Sequence, residues 1–135
     1  MNNGNHKMNR RRIAPILALA LSTSAFTPLS ALGKDGYIGP LYLESVGVQQ
    51  TPGSTGHQPG SLEVKLRAPA TLPTGMTCDT TYFTTKREND ADKRLFSLLT
   101  AAHLAGKPMK LQISDDPALQ AYTGRCSLLW VEVLP

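Results

Sequence analysis

Cysteine and histidine are the residues of this chain whose side chains could bind a metal or act as nucleophile and base. The sequence has two cysteines, Cys78 and Cys126. An even pair in an exported chain indicates a disulfide, with a free thiol pair or a metal site as alternatives. A metal site is disfavoured because His57 and His103 have no ligand spacing relative to either cysteine. A bridge closing so long a loop would contribute about 4 kcal/mol at most in the loop-entropy model.

Nucleophilic catalysis has no motif in this sequence. The Gly-x-Ser-x-Gly elbow of serine hydrolases is absent, and cysteines joined in a bridge cannot attack a substrate. His57 lies in a polar loop and is expected to be solvated, whereas His103 is expected to pack beside the apolar stripe of a helix. Asp115 and Asp116 before Pro117 predict a turn rather than a calcium site. We therefore expect a protein that is not an enzyme and has no metal or cofactor.

Aromatic residues are the remaining candidates for ligand contact, because sugar rings stack on them and tyrosine hydroxyls add hydrogen bonds. Tyr42 is one of the better prospects, since it shares a polar strand face with Glu44. Trp130 is expected in the core or in a subunit interface. The aromatic residues considered are Tyr37, Tyr42, Tyr82, Tyr122 and Trp130.

The first 31 residues have the pattern of a secretory signal peptide. Four cations, Lys7 and residues 10–12, precede the apolar segment 13–21 and a stretch of small residues, which is the order of such a leader. The apolar segment is shorter than the roughly 20 residues that cross a membrane. Cleavage is expected between positions 25 and 33 by the general secretory route, which leaves a domain of residues 34–135 in the periplasm or outside the cell.

Charge in residues 34–135 is balanced. The chain has 14 Lys and Arg against 10 Asp and Glu, and the four cations of the leader account for the whole excess. Binding to nucleic-acid phosphates needs a surplus of positive charge, so a nucleic-acid partner is not expected. No second long apolar segment follows, so membrane insertion is not expected either.

Apolar periodicity predicts five strands in residues 34–135. The first, residues 36–48, changes phase near Ser45, which indicates a bulge. Residues 62–66 alternate cleanly, and residues 77–85 are rich in β-branched and aromatic residues. Residues 109–113 and 128–134 complete the set. In the last strand Leu129, Val131 and Val133 are expected on one face, and Leu128 and Trp130 are expected on the opposite face.

One helix is predicted between the third and fourth strands. Asn89 is the expected cap, with Asp92 at the third helical position, and Gly106 ends the helix before Pro108. The apolar stripe consists of Leu95, Leu98, Leu99, Ala102 and Ala105. Five short strands, one helix after the third strand and one disulfide predict a mainly β, α+β domain with the architecture of a small OB-like barrel.

Residues 92–111 resemble a group of small exported bacterial proteins in which a helix ends in an Ala-x-x-Ala-Gly-Lys turn and runs directly into a strand. The pattern is similar to the B subunits of subtilase cytotoxin and its pertussis-type relatives. Residues 34–39, Lys-Asp-Gly-Tyr-Ile-Gly, also look like the start of the subtilase cytotoxin B subunit. The resemblance implies an OB-type fold, pentamers and glycan binding.

The resemblance also implies where a glycan would lie. In that family the aspartate of this motif and a serine four residues later help to hold sialic acid. Asp35 matches the aspartate, and Gly39 stands at the position of the serine. The predicted glycan-binding residues are Asp35, Tyr37, Gly39 and Tyr42.

Two functions are consistent with the sequence. One is a glycan-binding module that forms a homo-oligomer, most simply a pentamer, and could carry a toxin-like A subunit. The other is a periplasmic accessory or inhibitor protein that binds another protein through the same surface and has no affinity for sugar.

Overall fold

A computed structural model describes residues 33–50 and 56–135 of the chain. The predicted signal peptide and residues 51–55 of the polar loop lie outside the described residues. Within the described part, no helix is long and apolar enough to span a membrane. The elements in chain order are β1 (Asp35–Leu41), β2 (Leu43–Val48), β3 (Leu62–Leu66), β4 (Tyr82–Thr85), a 3-10 turn (Arg87–Asp90), α1 (Arg94–Leu104), β5 (Met109–Ser114) and β6 (Ser127–Val133).

The strands described here form one mixed sheet of six strands in the order β1-β5-β6-β4-β3-β2. β4 and β6 run parallel, while the other neighbours are antiparallel. The sheet has six strands where the sequence predicts five, because the first predicted strand is divided at Tyr42 into β1 and β2. The predicted bulge near Ser45 is confirmed, since the register between β2 and β3 shifts between Leu43 and Ser45.

The sheet is strongly bent. β1 and β2 occupy its two edges, yet Tyr42 alone separates them in sequence. Cα atoms two residues apart lie within about 7 Å of one another, whereas six flat strands would span about 24 Å. The bend therefore brings one end of β1 close to one end of β2 and creates a concave side.

The concave side of the sheet holds the core. Every described strand contributes buried residues to it, and α1 contributes Leu99 and Ala102, which are fully or nearly fully buried. The strand residues of the core are Ile38, Leu43, Leu62, Val64, Leu66, Phe83, Met109, Leu111, Ile113, Leu128 and Val131. The alternation predicted for residues 62–66 and 109–113 is confirmed.

The helix begins later than the sequence predicts. Asn89 lies in the 3-10 turn, and α1 starts at Arg94. Its first turn is capped by the buried carboxylate of Asp90, which accepts hydrogen bonds from the backbone N–H groups of Leu95 at 2.9 Å and Phe96 at 3.1 Å. Asn89 was therefore the wrong cap, because a carboxylate one position later reaches two free N–H groups of the first turn at once.

β4 is shorter than predicted and starts at Tyr82 instead of residue 77. The carboxylate of Asp79 accepts hydrogen bonds from the backbone N–H groups of Thr81 at 2.7 Å and Tyr82 at 2.9 Å. Aspartate commonly forms such local turns, which compete with strand pairing. Cys78 consequently lies before the strand and not within it.

The predicted alternation of β6 is confirmed for Trp130, Val131 and Val133, since the two valines face the core and Trp130 faces away from it, but it is wrong for Leu128. Leu128 and Val131 are both buried in the core, whereas Trp130 is 41% exposed. The register with β5 shifts because Gln112 lies opposite Trp130 while Ile113 lies opposite Leu128. The unpaired Leu129 forms a bulge, and the bulge turns Leu128 and Val131 to the same face. Trp130 therefore lies outside the core of the domain.

The predicted disulfide between Cys78 and Cys126 is confirmed, with a Cα–Cα distance of 5.4 Å. It lies beside the contact of β4 and β6, where Thr84 and Ser127 are the registered pair and the Thr84 N–H donates to the Cys126 carbonyl at 3.1 Å. The bond thus reinforces the shortest strand pairing in the described sheet.

Replacement of both cysteines by alanine is expected to lower the free energy of unfolding by about 2–4 kcal/mol, because the bridge joins positions 48 residues apart and restricts the unfolded chain. For a domain of this size the loss corresponds to a fall in Tm on the order of 10 °C or more. Calorimetry of the unaltered protein and of the double variant measures it. Two titratable thiols in the native oxidised protein would contradict the bridge.

Candidate functional site

Exposed aromatic rings meet on the convex face of β1, β5 and β6. We call Tyr37, Lys110 and Trp130 the aromatic surface. Tyr37 is 56% exposed and Trp130 is 41% exposed, and their ring centroids lie 6.0 Å apart in an edge-on arrangement. The ammonium of Lys110 lies 4.9 Å from the centroid of the Tyr37 ring. Two rings and a cation therefore share one solvent-facing patch.

The pleat of three neighbouring strands positions this surface. In β1, Ile38 points into the core, so Tyr37 points outward. In β5, Leu111 points inward, and Lys110 faces outward. Tyr37 lies opposite Gln112 of β5, which lies opposite Trp130 of β6. The bulge at Leu129 turns Trp130 outward and completes the row.

Asp35 lies on the same face as Tyr37, two residues earlier in β1. It is exposed and lies opposite Ser114 of β5. Its carboxylate has no hydrogen bond or ion pair with another described residue, so it remains available as an acceptor at the border of the aromatic surface. The structure therefore places Asp35 and Tyr37 on one solvent-facing side of β1.

Gly39 contributes backbone and no side chain to this region. Its φ is +139°, and a Cβ atom would lie 2.8 Å from the carbonyl oxygen of Met109 and 2.9 Å from the Cα of Lys110. Neither backbone atom can move away without displacing β5. A serine at this position would be excluded for the same reason, so Gly39 allows close approach of β1 to β5 and is not a side-chain ligand.

Tyr42 lies at the bend between β1 and β2. Its ring is 46% exposed and lies 5.7 Å from the guanidinium carbon of Arg67, whose backbone N–H donates to the Tyr42 carbonyl at 2.9 Å. The predicted glycan-binding residues therefore lie in two places. Tyr42 packs against Arg67 at the bend, whereas Tyr37 belongs to the aromatic surface.

A second cluster was missed by the sequence analysis, and we call it the Arg125 cluster. The guanidinium carbon of Arg125 lies 4.6 Å from the ring centroids of both Tyr82 and Tyr122, and Arg125 donates a hydrogen bond to the carboxylate of Glu63. His57 stacks on Tyr122 at 4.4 Å. Its side chain is only 12% exposed, so the prediction of a solvated loop histidine was wrong.

No sequence signal could have identified the Arg125 cluster, because Glu63 and Arg125 are 62 positions apart and meet only when β3 and the segment before β6 are folded. Its charges are paired internally, which is the property of a structural support. Lys110, in contrast, was accessible to sequence analysis. It alternates with Met109 and Leu111 and so had to face outward on the strand next to Tyr37.

Lys65 extends the charged surface beside the Arg125 cluster. Its ammonium donates a hydrogen bond to Glu44 at 2.8 Å and lies 5.8 Å from the centroid of the Tyr82 ring. The hydrogen bond to Glu44 raises the pKa of the Lys65 ammonium above its usual value. Lys65 therefore keeps its charge throughout the physiological range and leaves Glu44 paired.

The remaining chemistry-bearing residues have structural surroundings. Both cysteines are in the disulfide, and the described residues contain no group of three or more His, Cys, Asp and Glu placed to hold a metal. Asp116 accepts a hydrogen bond from the Ala118 N–H at 2.8 Å, so the turn predicted at this position is confirmed. His103 is half-buried on α1, also as predicted.

Comparison of the chain with models of protein families, with curated proteins and with solved structures finds no match. The aromatic surface therefore has to be interpreted from its own chemistry. With its border it presents apolar ring surface, the ammonium of Lys110 and the carboxylates of Asp35 and Glu132 to solvent, which suits a ligand that has both apolar faces and many hydrogen-bonding groups.

Gly39→Ala is expected to lower the free energy of unfolding by about 2 kcal/mol or more, because the added methyl group meets the backbone of β5 and the residue must keep a positive φ. Gly47→Ala is the matched control, since a Cβ atom at Gly47 has no neighbour within 4 Å. Its stability should change by no more than about 0.5 kcal/mol. Equal urea midpoints for the two variants would contradict the close approach of β1 to β5.

Proposed function

We propose that this protein is an exported glycan-binding protein without enzymatic activity, and that the aromatic surface is its binding site. The observation that carries the proposal is the exposed pair of Tyr37 and Trp130, whose rings lie 6.0 Å apart on a convex sheet face. Sugar rings have apolar C–H faces that stack on such rings, while their hydroxyl groups require polar partners.

Polar partners flank the two rings. Lys110 and Gln112 supply N–H donors on β5, and Gln112 is the registered neighbour of both Tyr37 and Trp130. Asp35 supplies a carboxylate at the border. A sugar ring stacked on either aromatic residue would thus have a donor and an acceptor within reach of its hydroxyl groups, which is the usual composition of a binding site with few polar contacts.

The fold we propose is an OB-like barrel. If β1 and β2 are counted as one strand bent at Tyr42, the neighbours in the sheet run in a ring of five strands, with α1 between the third and fourth in chain order. This arrangement supports the resemblance to B subunits of subtilase cytotoxin and pertussis-type toxins, in which such barrels bind glycans.

Export to the periplasm or the medium belongs to the same proposal. It is supported by the leader-like sequence of residues 1–31 and by the disulfide, since such bonds persist in oxidising compartments. A toxin-like A subunit is a further partner that the resemblance suggests.

We also propose that the protein forms a homo-oligomer, with a pentamer as the expected form. Weak sugar contacts become useful when they are repeated in a ring, because linked sites raise the apparent affinity. Apolar surface for a subunit contact lies on α1, where Leu98 is 41% exposed and Leu104 is 81% exposed. Burying such side chains would favour association.

A second candidate is an accessory or inhibitor protein that binds another protein and no sugar. The same observation favours it, because exposed tyrosine and tryptophan residues are frequent at the energetic centre of protein interfaces. The two functions differ in whether the isolated protein binds free oligosaccharides.

Trp130→Ala and Tyr37→Ala are each expected to weaken binding to glycans selected on an array by about tenfold or more, which corresponds to about 1.4 kcal/mol of lost stacking and contact. Asp35→Ala should weaken it by a smaller factor. Tyr42→Ala is the control, since its exposed ring contacts Arg67 and binding should be retained. Titration calorimetry measures all four variants.

Loss of binding in Tyr42→Ala together with full binding in Trp130→Ala would place the site elsewhere. An array without any positive glycan would favour the accessory protein. Circular dichroism checks that each variant is folded.

Light scattering of the mature protein at micromolar concentration is expected to give the mass of five subunits. The double variant Leu98→Asp/Leu104→Asp should dissociate, because it places charge on exposed apolar positions of α1 without touching the core. Lys107→Asp, an exposed substitution just beyond the helix, is the control and should leave the mass unchanged. A monomeric mass for the unaltered protein would remove the assembly proposal.

A further inference from the structure

A groove separates β2 from the first turns of α1, away from the aromatic surface. Its volume is about 580 Å³. We call it the β2–α1 groove, and its walls include Val46 and Val48 of β2, Phe96 and Ser97 of α1, and Lys93 just before the helix. Most of the wall is apolar, so the groove can accept an apolar group of several carbon atoms.

One end of the β2–α1 groove is basic. An adjoining cleft of about 300 Å³ shares Val48 and Lys93 with it and adds Arg87. Neither Lys93 nor Arg87 forms an ion pair with another described residue. Two of the neighbouring acids are engaged elsewhere, because Asp92 pairs with Arg94 at 3.2 Å and the Asp90 carboxylate caps α1, while Glu88 lines a different cleft with Asp90 and Asp92. Two cations with no acidic partner therefore lie at the same end of an apolar groove.

The backbone of β2 supplies the third feature. β2 is at the edge of the hydrogen-bonded sheet. Gln49, just after β2, directs its backbone toward the β3 side, since its N–H donates to the Ser61 carbonyl at 2.9 Å and its carbonyl accepts from the Gly60 N–H. Backbone groups alternate along an antiparallel strand, so those of Val46 and Val48 point away from β3.

Val46 and Val48, whose backbone groups point away from β3, are lining residues of the β2–α1 groove. The N–H and C=O groups of Val46 and Val48 have no hydrogen-bond partner among the described residues. An edge strand with unpaired backbone groups is a template for another extended chain, whose alternate side chains enter pockets beside the edge. An aliphatic acid would fill the apolar part of the groove but would leave these backbone groups unused.

We propose that the β2–α1 groove binds an extended peptide segment of a partner protein, which pairs with β2, packs an apolar side chain against Phe96 and directs a carboxylate toward Lys93 and Arg87. The apolar wall, the unpaired edge and the two cations each select one property of this ligand. The site is separate from the proposed glycan site and does not depend on it.

Fluorescence polarisation of a labelled peptide tests the proposal with the intact mature protein. The probe is an alternating Val-Thr hexapeptide that ends in Glu with a free carboxylate, and its partner probe ends in Lys with an amide. The acidic peptide is expected to bind at least about tenfold more tightly, since each additional 1.4 kcal/mol of attraction corresponds to a factor of ten. Equal affinities, or no binding at millimolar peptide, would overturn the proposal.

Charge-reversal variants locate the carboxylate. The double variant Arg87→Glu/Lys93→Glu is expected to remove the preference for the acidic peptide, whereas Lys107→Glu, an exposed control, should keep it. Trp130→Ala should also keep it, which separates failure of this site from failure of the glycan site. An unchanged preference in the double variant would show that the cations do not receive the carboxylate and would overturn the assignment.

Methylation of the peptide backbone tests strand pairing without altering the protein. Peptides with N-methyl groups on one alternate set of amides should lose binding, while those methylated on the other set should retain it. Decanoate should compete weakly. If both methylated peptides bind like the parent and decanoate competes fully, the groove takes an aliphatic acid and the peptide proposal is wrong.

Discussion

The contact between β4 and β6 is the constraint on which the rest of this structure depends. β1, β5 and β6 form one half of the sheet and β4, β3 and β2 form the other, and the registered contact between them is the pair Thr84 and Ser127. Two hydrogen bonds cross this junction, from the Thr84 N–H to the Cys126 carbonyl at 3.1 Å and from the Thr85 hydroxyl to the Leu128 carbonyl at 3.0 Å. The Cys78–Cys126 disulfide lies beside it and fixes the distance between the halves covalently.

The junction also contains an unfavourable term. The hydroxyl oxygens of Thr84 and Ser127 are buried and have no hydrogen-bond partner among the described residues; each such group costs about 1–3 kcal/mol. The disulfide stabilises the junction and so offsets this cost. On the convex side the Arg125–Glu63 hydrogen bond ties the segment before β6 to β3. Both devices hold together two halves that carry different surfaces, the aromatic surface on one and the β2–α1 groove beside the other.

The aromatic surface illustrates how far sequence analysis could reach. The resemblance directed attention to Asp35 and Tyr37, but the outward direction of Tyr37 depends on the register shift between Ile38 and Leu41, which alternation does not predict. Leu128 was misplaced because a single extra residue, Leu129, interrupts the alternation in β6, and a bulge of this kind has no distinctive residue type. Gly39 was read as a ligand position, although its role is the close approach of β1 to β5, which is visible only when Met109 and Lys110 lie next to it.

The sequence by itself determined the strand and helix order, the inward faces of β3 and β5, the turn at Asp116 and the pairing of Cys78 with Cys126. The first three features depend on the types and the periodicity of neighbouring residues. The pairing of the cysteines follows because each has only one other cysteine with which it can form a disulfide. Only the tertiary structure decided that β1 and β2 lie at opposite edges, that Asp90 caps α1, that His57 stacks on Tyr122, and that Lys93 and Arg87 lie at one end of a groove. Some of these features join residues that are distant along the chain. Others depend on which of several neighbouring polar groups forms a given hydrogen bond. Local sequence patterns determine neither.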